Sequence, residues 1–207
     1  MATVQVQVTA APKMTQPNSI SQPEDEDLLR HAVAGDEGAF LLLYRRRHPG
    51  IYRFAQHMSG SAAVAEEVTQ EVFLALVRNP EGFKPENGSL LSYMFGVARN
   101  QVLRHLARAR PYVPLETNER AAESLANSEN LLSEMTRNET IESVRQAVLR
   151  LPEIYREAVV LCDLQEMAYA EVAEVLGVPV GTVRSRLNRG RALLMDKLRI
   201  SRTRCLV

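Results

Sequence analysis

The spacing of apolar residues is the feature that most constrains what this chain can fold into. From Glu24 onward, apolar side chains recur at three- or four-residue intervals almost throughout, which is the period of one face of an α-helix. No long run of alternating β-branched residues is present, and the alternating valines near the start, at positions 4 to 8, are too few to build a sheet. The sequence therefore predicts an all-α protein.

Interruptions of the helical period divide the chain into four parts. Residues 1–23 carry no such period and predict a flexible tail. Residues 24–112 and 139–203 predict two small helical domains. Residues 113–138 are acidic and rich in Glu, Asn and Ser, a composition typical of a flexible linker.

Within the first predicted domain, Pro49 and Gly50 interrupt the period of residues 36–58. Proline lacks the backbone donor that a helix interior needs, so the pattern predicts two helical pieces with a kink or break. Further helices are predicted over residues 61–78, with a serine cap at position 61, and over residues 89–110.

The charge of the chain is balanced in total but not along its length. The 25 basic and 25 acidic residues give a formal net charge of zero. Residues 88–110 nevertheless carry a net charge of +4 and residues 177–207 carry +7, while residues 111–176 between them carry −8. Two basic segments of this kind fit either nucleic-acid contacts that the total charge conceals or two solvated helix faces.

Other protein classes are less consistent with the sequence. No apolar run approaches the roughly 20 residues that span a bilayer, so no membrane span is expected. Cys162 and Cys205 show no metal-ligand spacing, and neither a disulfide, a metal nor a cofactor is expected. A reducing cytoplasm is the expected location.

Residues 168–198 carry the most informative motif, AYAEVAEVLGVPVGTVRSRLNRGRALLMDKL. A short helix is expected to end at Gly177, and Pro179 suits the first turn of a longer basic helix. This order of elements is that of a helix-turn-helix, whose second helix enters the DNA major groove. The side of that helix expected to pack inward comprises Val183, Leu187, Gly190, Leu194 and Leu198.

The opposite side of the basic helix is expected to face DNA. Ser185 and Arg189 project from its centre and are expected to read base edges. Arg186 and Arg191 lie on its flanks and suit the phosphate walls. Gly181 leaves room for a close approach of the backbone to DNA. The same surface also includes Thr182, Arg184 and Asn188.

Two predicted helices of the first domain also have polar faces. In residues 61–78, Leu74 lies among charged residues, which fits either a protein-binding hot spot or an ordinary surface leucine. Residues 89–110 contain no acid, and their outer face offers a ring, amides and arginines, which suit single-stranded DNA. That face comprises Tyr93, Asn100, Gln101, Arg104 and Arg108.

Two motifs resemble those of a known family. LGVPVGTVRSRLNRGRALL resembles region 4 of the extracytoplasmic-function (ECF) group of bacterial sigma-70 factors, and EEVTQEVFLALVR resembles the region 2 helix of that group. The resemblance extends from Glu24 to about Arg199. It implies that the second domain contacts the β flap of RNA polymerase. It also implies that the β′ clamp is contacted by Glu67, Gln70, Glu71 and Leu74.

The resemblance implies a sigma factor, which binds core RNA polymerase, directs it to promoter DNA and performs no chemistry itself. Residues 24–112 would bind the −10 element, where residues 84–92 capture a flipped base, and residues 139–203 would bind the −35 element. The family often has Trp where this chain has Tyr93. An anti-sigma factor is expected as a further partner.

The sequence leaves one other function open and disfavours a third. The alternative is a stand-alone helix-turn-helix transcription regulator whose first domain senses a signal or dimerises. An enzyme is disfavoured because no phosphate loop or nucleophile motif is present. The histidines are also dispersed, at His31, His48, His57 and His105.

Overall fold

The computed structural model describes residues 23–109 and 132–204, with side chains described for residues 23–108 and 141–198. Every regular element in these ranges is helical, so the all-α prediction is confirmed. The predicted tail up to residue 22, most of the predicted linker and Cys205 lie outside the described residues.

The first block, which we define as residues 23–109, contains four helices. Asp36 and Ser61 cap the second and third by accepting hydrogen bonds from the backbone N–H groups of Ala39 (3.0 Å) and Val64 (3.4 Å). The cap predicted at Ser61 is thus confirmed. The helices are α1 (Asp25–Val33), α2 (Glu37–Ser59), α3 (Ala62–Arg78) and α4 (Leu90–Ala109), with short helical turns at Pro80–Gly82 and Pro85–Asn87 before α4.

Helix α2 runs through Pro49 and Gly50, so the break predicted there is wrong. Proline costs the helix one hydrogen bond. The side chains of Leu43, Ile51 and Phe54 on either side are completely buried, and α2 packs against both α3 and α4. Burial of apolar surface on both halves of α2 offsets the lost bond.

The second block, residues 132–204, contains the remaining helices. They are α5 (Leu132–Leu149), α6 (Glu153–Val159), α7 (Tyr169–Leu176) and α8 (Val180–Arg204), with a π-helical turn at Val160–Leu164 after α6. Helix α5 begins inside the segment predicted as a linker, since residues 132–138 are helical. Their polar composition resembles a linker, but a helix nucleated over the packed residues Val144 and Val148 propagates backwards at little cost.

The two blocks share one hydrophobic core within the described ranges. Helix α4 packs against α2 and α3 and also against α7. Leu161 and Val172 of the second block belong to the same buried cluster as Phe54 and Met58 of the first. A smaller cluster, centred on Leu187, lies beneath α8. The two predicted domains are therefore in direct contact.

Polar contacts also join the blocks. The carboxylate of Glu157, only 1% exposed, accepts hydrogen bonds of 2.7 and 3.3 Å from Arg99 of α4. Arg156 donates a 2.7 Å bond to the backbone carbonyl of Met58 in the last turn of α2, and it also donates to the carbonyl of Leu149 at the end of α5. A buried carboxylate is expensive without a cationic partner, so Glu157 ties the position of α6 to that of α4.

Candidate nucleic-acid interface

The predicted helix-turn-helix is present as α7, a tight turn and α8. Gly177 ends α7 in the left-handed conformation (φ +63°), which glycine adopts without steric cost. The backbone N–H of Val178 then donates to the carbonyl of Ala173 at 3.1 Å, satisfying the end of α7. The carbonyl of Pro179 accepts from the backbone N–H of Thr182 at 2.8 Å and opens α8.

One side of α8 is fixed against the second block. Val183 and Leu187 are 0% and 1% exposed, as their spacing predicts. Gly190 is also buried, and a Cβ at this position would lie 2.7 Å from a methyl carbon of Val159 and 3.1 Å from the carbonyl oxygen of Tyr155 in α6. This close approach sets the distance between α8 and α6, so the opposite side of α8 is presented rigidly to solvent.

The residues predicted to meet the −35 element lie together on that opposite side. Thr182 and Arg186 are half-buried. The exposed members of the surface are Gly181, Arg184, Ser185, Asn188, Arg189 and Arg191.

Several of these side chains are already oriented. Arg191 donates to the carboxylate of Asp163 at 2.6 and 3.0 Å, and these hydrogen bonds raise the pKa of its guanidinium. The guanidinium carbon of Arg184 lies 5.8 Å from the ring centroid of Tyr169. Arg189 has no ion-pair partner within the described ranges. Of the three, Arg189 is the one whose guanidinium remains uncommitted.

Most of the predicted outer face of α4 is accessible to solvent. Asn100, Arg104 and Arg108 are exposed and Gln101 is half-buried. Tyr93 differs from the prediction, because its ring is half-buried and lies 5.8 Å from that of Phe83, centroid to centroid, at an interplanar angle of 55°. Tyr93 therefore belongs to the end of α4 rather than to its open face.

A cavity of about 130 Å³ lies at this end of α4, and we call it the loop pocket. Gly88 in its wall has a φ of +131°, a conformation that favours glycine. Ser89 caps α4 by accepting from the backbone N–H of Ser92 at 3.1 Å. The walls of the loop pocket comprise Gly82, Phe83, Lys84, Asn87, Gly88, Ser89, Ser92, Tyr93 and Glu174.

The sequence did not single out three residues of the loop pocket, Gly82, Phe83 and Glu174. Phe83 is an aromatic residue in a loop of Gly, Pro and Asn, and that contrast could have identified it. Glu174 comes from α7, in the other block, and no local pattern could have placed it here.

The surface of α3 predicted to bind polymerase has an apolar centre. Leu74 is 37% exposed and Val77 is 58% exposed. Glu67 and Gln70 are exposed nearby, and Glu71 is half-buried. Val77 was missed, although it lies three residues after Leu74 and so shares its side of the helix. Contiguous exposed apolar residues with a polar rim are typical of protein-binding surfaces.

The surroundings of Phe73 and Cys162 indicate that these side chains pack in the protein and do not bind or react. Phe73 is buried beside the ring of Tyr44, at a centroid distance of 4.6 Å, and belongs to the core. Burial, with a contribution from Asp163, raises the pKa of the Cys162 thiol to about 11, so the thiol stays protonated at neutral pH and is a poor nucleophile.

The ranges that the structure describes contain no cluster of His, Cys, Asp or Glu able to hold a metal ion. Nor does any described helix have the length and apolarity needed to cross a membrane.

Two family models match the chain. Sigma-70 region 2 matches residues 43–112, which include most of the first block, and Sigma-70, region 4 matches residues 141–194 in the second. The chain belongs to the sigma-70 family. Its relatives include proteins named as ECF sigma factors: it is 34% identical to SigM of Mycobacterium tuberculosis strain H37Rv over 172 residues, which are 82% of each chain.

One further relative and two solved structures are similar to this chain. The chain is 30% identical over 191 residues to the ECF sigma-E factor of Escherichia coli K12, covering 86% of this chain and 95% of that one. Its fold matches CnrH, solved in complex with the cytosolic domain of CnrY, with a TM-score of 0.64, 24% identity and coverage of 85% and 97%. RpoE of Bartonella quintana, solved with the anti-sigma factor NepR, gives a TM-score of 0.58, 21% identity and coverage of 78% and 97%.

Proposed function

We propose that this ECF sigma factor binds core RNA polymerase and directs it to promoters, with the second block on the −35 element and the first block on the −10 element. The observation that carries the proposal is the exposed arginine and amide face of α8, held by the buried Val183 and Leu187. A helix fixed on one side and basic on the other suits the major groove. In this proposal the protein binds core polymerase and positions it on promoter DNA, and no chemical step is assigned to its side chains.

On the −35 element, the roles follow from how each side chain is held. Arg189 is exposed and uncommitted at the centre of the face, so we assign it to base edges together with Ser185. Arg191 and Arg186 lie on the flanks and contact phosphates. Asp163 holds the Arg191 guanidinium in place, which lowers the conformational entropy lost when a phosphate binds.

On the −10 element, α4 and the loop pocket act together. Asn100, Arg104 and Arg108 offer amide and cationic groups to the backbone of a single strand. The rings of Phe83 and Tyr93 in the loop pocket offer an apolar surface to an unstacked base.

For core polymerase, we assign the surface of α3 to the β′ clamp, with Leu74 and Val77 as its apolar centre and Glu67, Gln70 and Glu71 as its rim. We assign contact with the β flap to the second block because this block matches region 4 of the sigma-70 family. Two modules that bind DNA weakly gain effective concentration once polymerase holds them together. An anti-sigma factor is proposed as a further partner, because RpoE, whose fold is similar, is solved with one.

The proposal is tested by co-purification of the full chain with core polymerase, followed by transcription from the promoters it selects in cells. Leu74→Glu is expected to reduce core binding at least about tenfold, as loss of an interface hot spot does. Because Leu74 is 37% exposed, the variant is expected to stay folded.

Leu41→Glu is the matched control, since Leu41 of α2 is 45% exposed and lies outside the α3 surface. It is expected to bind core as the wild type does. Equal binding by all three proteins would remove Leu74 from the interface. A wild-type chain that bound DNA but not core would contradict the sigma-factor proposal and favour the stand-alone regulator.

A further inference from the structure

A carboxylate of the second block lies in the wall of the loop pocket. Glu174, on α7, lies so close to Gly88 that a Cβ at that glycine would be 3.0 Å from the carboxyl carbon of Glu174 and closer still to one of its oxygens. The same pocket contains Phe83, Lys84 and Tyr93 of the first block. A site otherwise suited to a base and its phosphate therefore carries an acidic group from another part of the chain.

The contacts that hold the two blocks together lie at some distance from Glu174. Helix α7 packs along α4, and the buried Glu157 accepts two hydrogen bonds from Arg99 of α4. The Arg156 bond to the Met58 carbonyl, 2.7 Å long, joins α6 to the end of α2. Since these contacts hold the second block on α2 and α4, the backbone of Glu174 is held beside the loop pocket.

The compact arrangement affects the two DNA surfaces differently. The loop pocket is partly covered by α7, whereas Arg184, Ser185 and Arg189 of α8 point to solvent. A phosphate entering the loop pocket would meet a like charge, which is unfavourable in a partly enclosed site.

We propose that Glu174 gates the loop pocket: in the free protein its carboxylate lowers the affinity of the pocket for the single-stranded −10 DNA. The proposal rests on the function proposed above, because it presumes that the loop pocket takes a nucleotide.

The test measures DNA binding by the free, full-length protein. The probe is a fluorescein-labelled single-stranded pool of random sequence, about 12 nucleotides long, within the usual site size of single-strand binders. Binding is followed by fluorescence anisotropy at about 0.1 M salt, where surface charges act over about 10 Å. Glu174→Ala is expected to tighten binding about fivefold through loss of a nearby like charge. Glu174 is exposed, so the substitution is expected to leave the fold intact.

Glu174→Gln separates charge from volume, because it keeps the size of the side chain. An increase in both variants indicates an electrostatic gate, and an increase in Glu174→Ala alone indicates a steric one; either supports the proposal. Glu142→Gln in α5 is the charge-matched control, since Glu142 is exposed and does not line the loop pocket. It is expected to bind as the wild type does.

Unchanged affinity in both Glu174 variants, or an equal increase in Glu142→Gln, would overturn the gate. The proposed function is judged separately, by wild-type transcription with core polymerase. If that transcription is promoter-specific while the Glu174 variants bind the probe as the wild type does, only the gate fails. If no promoter-specific transcription occurs, the proposed function fails.

Discussion

Arg189 and Arg191 lie two positions apart on α8 but are held differently. Arg191 is fixed by two hydrogen bonds to Asp163, while Arg189 extends to solvent. An arginine on a fixed carboxylate presents its remaining donors in one direction, which suits a uniform phosphate wall. A guanidinium without an ion-pair partner at the centre of the face can adjust to the acceptors of a base pair.

Arg189→Ala is therefore expected to reduce transcription by an amount that depends on the −35 sequence, corresponding to about 1–3 kcal/mol at the best site. Arg191→Ala is expected to reduce it about equally on all promoters and to lower the slope of affinity against salt by about one unit. Both are measured by transcription with core polymerase on a set of −35 variants. A similar pattern of losses for the two substitutions would refute these roles.

Part of this residue-level picture could be predicted from sequence. The helical period alone identifies Val183 and Leu187 as buried and Arg189 as exposed. The Arg191 partner could not be predicted, because Asp163 lies 28 positions away and the turn that brings it close depends on the packing of α6. Glu174 at the loop pocket could not be predicted for the same reason.

At the scale of elements, the packing of α8 on α6 depends on one missing side chain. A Cβ at Gly190 would lie 2.7 Å from a methyl carbon of Val159 and 3.1 Å from a backbone oxygen of Tyr155, so any larger residue must push the two helices apart. The sequence pattern placed Gly190 on the inner side but gave no measure of this proximity.

Gly190→Ala is expected to lower the free energy of unfolding by about 1–3 kcal/mol, the usual cost of overpacking. Gly181→Ala in the same helix is the control: nothing lies within 4 Å of its Cβ position, so alanine is expected to stabilise α8 by up to about 1 kcal/mol. Urea unfolding followed by circular dichroism measures both. Equal stability of the two variants would show that α8 and α6 are not in tight contact at Gly190.

The helices themselves illustrate what local sequence decides. The caps at Ser61 and Gly177 depend on neighbouring residues only, and both were predictable. The continuity of α2 through Pro49 depends on burial against α3 and α4, and the early start of α5 depends on its packed later turns. Tertiary packing overrode local preference in both cases.

At the scale of the whole molecule, the contact between the blocks includes a titratable group. His57 of α2 is half-buried, and its Nδ1 has no hydrogen-bond partner among the described residues. Burial lowers the pKa of His57, and the nearby Arg145 of α5 and Arg53 of α2 lower it further. Below the pKa of the unfolded chain, about 6.5, the unfolded state binds a proton that the folded state resists.

The free energy of unfolding is consequently expected to fall as pH decreases from about 7 to about 5, and to fall less in His57→Gln. His31→Gln, a change at an exposed histidine, is expected to keep the wild-type dependence. Urea titrations at several pH values provide the measurement. If His57→Gln retained the full wild-type loss of stability, His57 would not be the group responsible.

The position of Glu174 late in the chain has a consequence for synthesis. Gly88 and the rest of the first block leave the ribosome well before α7 does, and amino-terminal units generally fold first. At about 5–20 residues per second, translation from Gly88 to Glu174 takes about 4–17 s. During that interval the nascent first block carries a loop pocket without its acidic wall. Under the proposed gate, a newly made chain is then briefly more receptive to nucleic acid than the finished protein.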